Sequence, residues 1–250
     1  MIEPWKLAAL VAVTFFAGLI DAIAGGGGLI TLPALLAANI PLHLALGTNK
    51  GQSVFGSGAA MIAYARKGAI DGKRARVTFP LGLIGSLLGA SAVVLVPPAT
   101  LRPIVLVLLP LAASTLLIPR RERAGTPPEH ALAIAAALAL SIGAYDGFFG
   151  PGCGTFLVIG FSMLLHDSLL RATAAAKVVN FASNLAAVAI FAWHGDILWR
   201  VSLPMAAAQM AGSWTGAHLA VRGGDRVIRP VVFLVVLGLV VKLAWDTFHG

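Results

Sequence analysis

Two lysines stand inside apolar runs, each sharing a helix face with neutral hydrogen-bonding groups. Lys50, Ser53 and Ser57 are spaced i, i+3, i+7 and so project from one side of a helix. Asn49 and Gln52 add polar groups beside them. Lys177, Asn180 and Asn184 repeat the spacing later in the chain. Inserting a lysine near the middle of a membrane costs roughly 2.5–3.5 kcal/mol on insertion scales. Two such insertions with matching polar neighbours point to a donor-rich surface for an oxyanion. The competing reading is that each lysine lies close enough to its helix start to extend to the membrane interface.

Two glycine-rich breaks accompany these faces, Gly25-Gly-Gly-Gly28 and Gly150-Pro-Gly-Cys-Gly154. Each glycine costs a helix about 1 kcal/mol relative to alanine, so neither run holds a helix. Irregular backbone at membrane depth is tolerated only when buried in protein or lining a wet cavity. A short apolar segment follows each break. Its free N–H groups and positive dipole end suit an anion, which makes Gly26, Gly27, Gly152 and Cys153 candidate binding residues. The alternative is that the glycines only let helices approach closely. Asp21 and Asp146 each precede a break by four residues. A buried aspartate must pair or take a proton, so these two are candidates for ion pairing with Lys50 or Lys177, or for proton coupling. His43, His166 and His194 lack metal-ligand spacing. No nucleophile–base pair, paired catalytic carboxylates, zinc motif or nucleotide loop is recognisable, so neither enzymatic activity nor a cofactor is expected.

The elements that would position these groups are membrane helices. Of 250 residues, 58% are apolar and only 11% charged, against about a quarter charged in a soluble domain. Mean hydropathy is +0.90. The net charge of +8 sits in short loops between apolar runs, which argues for membrane topology rather than nucleic-acid binding. One cysteine, Cys153, excludes an intrachain disulfide. Apolar segments run over Trp5–Ala24, Leu29–Ala38, Leu44–Ala65, Val77–Val96 and Leu101–Ile118, then over Ala131–Phe149, Thr155–Leu165, Leu170–Trp193, Val201–Val221 and Ile228–Trp245. The first run resembles a signal peptide ending at Ala22-Ile23-Ala24, but its end recurs inside the chain, so the first helix is expected to be retained.

That recurrence extends through both sets. Gly18, Asp21, Gly25 and Gly27 match Gly143, Asp146, Gly150 and Gly152 at an offset of 125 residues. From Lys50 onward the offset is 127: Lys50 meets Lys177, Gly68 meets Gly195, and Gly85, Ser86 and Gly89 meet Gly212, Ser213 and Gly216. The expectation is an all-α polytopic membrane protein of two homologous repeats, residues 1–118 and 131–250, joined by a cytoplasmic linker over 119–130. Each repeat has about five helical elements, one of them a half-helix after a break. Internal repeats of this kind are characteristic of secondary transporters.

Whether the repeats are parallel or inverted depends on the short segments. If Leu29–Ala38, about 15 Å of helix, is re-entrant, each repeat crosses four times and the repeats are parallel. If it crosses with help from the glycine stretch, each repeat crosses five times and the second is inverted. The inverted arrangement puts Arg66, Lys67, Lys73, Arg74, Arg76, Arg120, Arg121, Arg123, Arg171, Lys177, Arg222, Arg226 and Arg229 inside, 13 of the 18 Lys and Arg. The parallel one puts only 11 inside. Positive-inside bias therefore favours inverted repeats with both termini outside.

The stretch Gly18-Leu-Ile-Asp-Ala-Ile-Ala-Gly-Gly-Gly-Gly-Leu-Ile-Thr-Leu-Pro33, followed by Ala45-Leu-Gly-Thr-Asn-Lys50, resembles the sulfite exporter TauE/SafE family. Gly143–Gly154 and Ala175-Ala-Lys-Val-Val-Asn180 carry the same resemblance in the second half. It implies movement of sulfite, sulfonates or related small anions, including carboxylates, across the cytoplasmic membrane, commonly as export. It leaves the exact substrate, the coupling ion and the oligomeric state open. Ala176 stands where Asn49 stands in the first repeat, so the two half-sites differ chemically.

Overall fold

A computed structural model describes residues 2–114, 126 and 128–223. The described residues form nine helices and no strand: α1 (Pro4–Ala24), α2 (Gly28–Ala37), α3 (Leu42–Arg66), α4 (Gly72–Val94), α5 (Pro98–Ser114), α6 (Ala131–Phe148), α7 (Cys153–Leu164), α8 (Leu169–Trp193) and α9 (Trp199–Gly223). The expected segment Ile228–Trp245 and most of the linker lie outside the described residues.

Helices α1, α4, α6 and α8 are long and apolar enough to cross a membrane. Their outward faces are apolar: Phe16, Ile84, Leu88 and Leu140 are exposed, where lipid rather than water must cover them. Trp5, Trp193 and Trp199 are exposed at helix ends, as an interfacial aromatic belt requires. The protein is an integral, multi-pass, all-helical membrane protein.

Corresponding elements are built alike. α2 and α7 are the short helices, of 10 and 12 residues. α3 and α8 have 25 residues each. Both end at a glycine in the left-handed region, Gly68 (φ +68°) and Gly195 (φ +76°), which turns the chain out of the helix without a Cβ penalty. The following turn lets Asp71 cap α4 through the amides of Lys73 and Arg74.

Packing between repeats is also matched. α4 lies on α6, and its counterpart α9 lies on α1. Glycines line both seams. A Cβ at Gly85 or Gly89 would strike the backbone of Leu140 and Ala144, and one at Gly212 or Gly216 would strike that of Phe15 and Leu19. Such small-residue contacts let helix backbones approach where no hydrophobic effect drives them together.

The order of contacts gives each helix its direction. Gly82, Ser86 and Gly89 of α4 meet Gly143, Gly147 and Phe148 of α6 in ascending order. Gly82 and Ser86 also meet Val179 and Ser183 of α8. Gly51 and Gly56 of α3 meet Ser202 and Gln209 of α9, whose Gly212 and Gly216 meet Phe15 and Leu19 of α1. In contrast, Gly47 and Gly58 of α3 meet Phe191 and Phe181 of α8 in descending order. Thus α1, α3 and α9 advance together, α4, α6 and α8 advance together, and α3 runs against α8.

Candidate functional site

The two breaks touch each other at the centre of the bundle. A Cβ on Gly25 would lie 2.6 Å from the carbonyl carbon of Gly154, so only glycine permits this approach. Gly25 and Gly26 have φ of +75° and +90°, and Gly150 and Gly152 have +98° and +85°, a region costly to residues with a Cβ. The first break is shorter than an extended Gly25–Gly28 run: Gly27 is already helical (φ −53°) and α2 begins at Gly28. The reason is local. Asp21 Oδ1 accepts from the Gly27 amide at 3.1 Å, which folds the chain back at once. Tyrosines satisfy backbone beside both breaks: Tyr64 donates to the Ala22 carbonyl and Tyr145 to the Pro151 carbonyl, each at 2.7 Å.

Both lysine faces point into this centre. Lys50 and Lys177 are 2% and 0% exposed, so neither extends to the interface. Each pairs with the aspartate of the other repeat. Lys50 Nζ lies 2.5 Å from Asp146 Oδ1 and Lys177 Nζ lies 2.7 Å from Asp21 Oδ2. The second carboxylate oxygen is held within its own repeat, by the Gly27 amide for Asp21 and by the Ser183 hydroxyl for Asp146. Lys50 Nζ also donates to Asn184 Oδ1 at 3.3 Å. The charges are thereby compensated and hydrogen-bonded, the condition on which buried ions persist.

Around the pairs lies a polar network. Asn184 Nδ2 donates to Ser57 Oγ at 3.3 Å, and Ser57 Oγ donates to the Ser53 carbonyl at 2.8 Å. Asn49 Oδ1 accepts from Thr31 Oγ1 at 2.6 Å and from Gln52 Nε2 at 2.9 Å. Cys153 Sγ lies 3.6 Å from Asn180 Oδ1. A cavity of about 30 Å³ opens between these groups. Its wall includes Lys50, Ser53, Asn49, Asn180, Asn184 and Cys153, together with Asp21 and Asp146. The backbone contribution comes from Gly28 and Gly150, not from Gly26, Gly27 and Gly152. Gly152 instead faces Ala112 of α5. Gln52 stands behind Asn49, outside the cavity wall, and Ser57 likewise acts through Asn184. Lys177 is tied to Asp21 beside the cavity.

Besides the backbone of Gly28 and Gly150, three side chains of the site escaped sequence reasoning. Ser183 and Thr31 sit on faces that the lysine spacing does not mark, and only the pairing of helices brings them in. Gln209 of α9 lines the cavity. Its signal was available: it is a lone amide in the run Met205-Ala-Ala-Ala-Gln-Met210.

Two larger cavities lie away from this centre. One, of about 220 Å³, is lined by Arg74, Thr78, Asp167 and Arg171. There the Arg74 guanidinium grips both oxygens of Asp167. The other, of about 680 Å³, is lined by Lys6, Asn39, Trp199 and Arg200. The α3–α4 turn is therefore beside the α7–α8 turn, and the α2–α3 turn beside the α8–α9 turn.

A family description, sulfite exporter TauE/SafE, matches residues 10–243. A "Probable membrane transporter protein ORF9" of Sinorhizobium sp is 39% identical over 97% of this chain and 94% of its own length. "Probable membrane transporter protein YfcA" of Escherichia coli (strain K12) is 35% identical over 100% of this chain and 93% of its own length. A "Probable membrane transporter protein" of Haemophilus influenzae is 36% identical over 97% of both chains. No solved structure matches.

Proposed function

The chain belongs to the sulfite exporter TauE/SafE family, and from that premise we propose that it is a secondary transporter of small sulfur-containing oxyanions such as sulfite or organosulfonates. One observation carries the reading: two buried lysines, one from each repeat, meet at two helix breaks, each held by the other repeat's aspartate. An oxyanion supplies the same acceptors as an aspartate carboxylate. It can replace Asp146 on Lys50, or Asp21 on Lys177, while the amides at the start of α2 and α7 face it with their positive dipole ends. An aspartate displaced from its lysine in a low-dielectric centre is stabilised by taking a proton. Substrate entry and proton uptake are then one event, which is proton-coupled transport.

The repeats are inverted in this reading. α1 and α6 are counterparts, and the contact order supports opposite directions for them, since α1 follows α3, α6 follows α8, and α3 opposes α8. The corresponding α3–α4 and α8–α9 turns accordingly lie at opposite ends. The end holding Lys67, Lys73, Arg74 and Arg171 is the cytoplasmic one by loop charge. Repeats 1–118 and 131–250 then rock about the central pairs, opening the 220 Å³ and 680 Å³ cavities in turn. The narrow centre favours this alternating carrier over an open anion channel.

Purified protein in proteoliposomes tests the proposal. Sulfite and sulfonate flux should saturate, respond to an imposed pH gradient and vanish in the Lys50→Met/Lys177→Met variant. Undiminished flux in a correctly inserted double variant refutes it.

A further inference from the structure

The two halves of the central site are unequal at one position in particular. Gln209 is 2% exposed, lines the cavity, and leaves its Oε1 without a hydrogen-bond partner among the described residues. Its side chain runs past Gly18 and Gly56, where an added Cβ on either would collide with it. The corresponding position in the first repeat is Gly82, which has no side chain. Its Cβ direction meets Val179 Cγ1 at 3.0 Å instead of the cavity. The glycine-lined slot that admits Gln209 is also one-sided, because Ser183 stands where Gly56 would recur, and Ser183 is committed to Asp146. Gln52 Oε1 in the first repeat is also buried without a partner among the described residues, but Gln52 is not on the cavity wall. Gln209 alone brings such an oxygen to that wall, and a buried amide oxygen without a partner is a group built to accept.

We infer that Gln209 is a specificity-determining residue that accepts a hydrogen bond from a hydroxyl or amino group at the far end of a two-ended anion. This rests on the central pairs being the anion site. The charged end engages the lysines and the breaks, which both repeats supply. The neutral end is read by Gln209, which only one repeat supplies. The substrate is thus bound in one orientation, and a bare alkyl anion leaves the amide unmet. A site built to bond a hydroxyl rejects the analogue lacking it far more strongly than an apolar pocket rejects a methylene change.

The test compares uptake of 2-hydroxyethanesulfonate and ethanesulfonate into proteoliposomes. The wild-type protein should favour the hydroxylated anion in kcat/KM by about tenfold or more. Gln209→Leu should bring the ratio near one by lowering kcat/KM for the hydroxylated anion. Gln209→Met, unbranched and of similar length, provides the same reading if the leucine variant folds poorly. A wild-type ratio near one, no flux of either probe, or a wild-type ratio retained in the variants overturns the inference. A residue that only packs between Gly18 and Gly56 would leave the ratio unmoved. Lys50→Met separates the two readings. Unchanged flux there removes the anion site itself, whereas Lys50-dependent flux with an unmoved ratio removes only the role of Gln209.

Discussion

Lys50 of one repeat and Asp146 of the other are joined at 2.5 Å in the protein interior, both almost completely buried. Donor and acceptor lie 96 positions apart in the chain, so this bond is made by the packing of distant segments against each other. It is mirrored by Lys177 and Asp21. Each repeat thus supplies the cation for the other's anion.

Removing one member of such a pair leaves an uncompensated buried charge. Lys50→Met is expected to cost about 3–5 kcal/mol of stability, read as a lower midpoint of thermal unfolding in detergent. Lys50→Met/Asp146→Leu should recover most of that loss because neither charge remains. Flux should be absent from both variants. Recovery of transport along with stability would show that the pair is structural only.

Neutralising the aspartates separates substrate movement from proton movement. Asp21→Asn/Asp146→Asn keeps both shapes, and each amide oxygen can still accept from its lysine, but neither side chain can take a proton. Sulfonate exchange between equal concentrations should persist, while the response to an imposed pH gradient should be lost. A gradient response equal to that of the wild type would assign coupling to another group.

The Arg74–Asp167 pair crosses between repeats at the positive end, and the corresponding positions at the other end, Val201 and Leu42, cannot form one. Asp167→Asn should therefore loosen that end selectively. In a Cys153→Ala background, a cysteine at Ala175, which lines the adjoining cavity, should react several-fold faster with a soluble maleimide. An unchanged labelling rate would show that the pair does not hold this end closed.

Inversion makes a direct topological prediction. Gly68 and Gly195 occupy corresponding turns and have open space around them. Cysteines placed at the neighbouring Lys67 and His194 in the same background should label from opposite faces of the membrane. Labelling of both from one face would require parallel repeats.

The glycine seams should tolerate no enlargement. Gly89→Val drives side-chain atoms into the Ala144 carbonyl, and Gly212→Val does the same to that of Phe15. Overpacking of this kind typically costs 1–3 kcal/mol or more. Both variants should lose the monodisperse peak in size-exclusion chromatography, whereas Gly72→Ala, in open space, should keep it.

Much of the molecule was readable from the chain because its signals are local. Apolar runs of helix-spanning length, tryptophans at their ends and basic turns between them follow from the cost of placing polar groups in lipid. The duplication was readable because glycines and charges recur in step, and Lys50 and Lys177 stood out because lysine is expensive in an apolar run. The lysine's destination was not readable: extending to the interface and pairing inside satisfy the same local pattern, and burial alone separates them. The breaks were correctly located, yet their backbone at Gly28 and Gly150, rather than at Gly26, Gly27 and Gly152, lines the cavity, because the Asp21–Gly27 contact folds the first break early.

By itself the sequence determined membrane residence, the helices of the described residues, the recurrence of glycines and charges along the chain, and the types of side chain available to meet an anion. All of these depend on hydrophobic length and on residues a few positions apart. Only the tertiary structure decided that each lysine takes the other repeat's aspartate, that α3 opposes α8, and that Gln209 rather than Gln52 reaches the cavity. Those outcomes depend on which helix faces meet across more than a hundred residues of chain, set by where glycine lets two backbones touch.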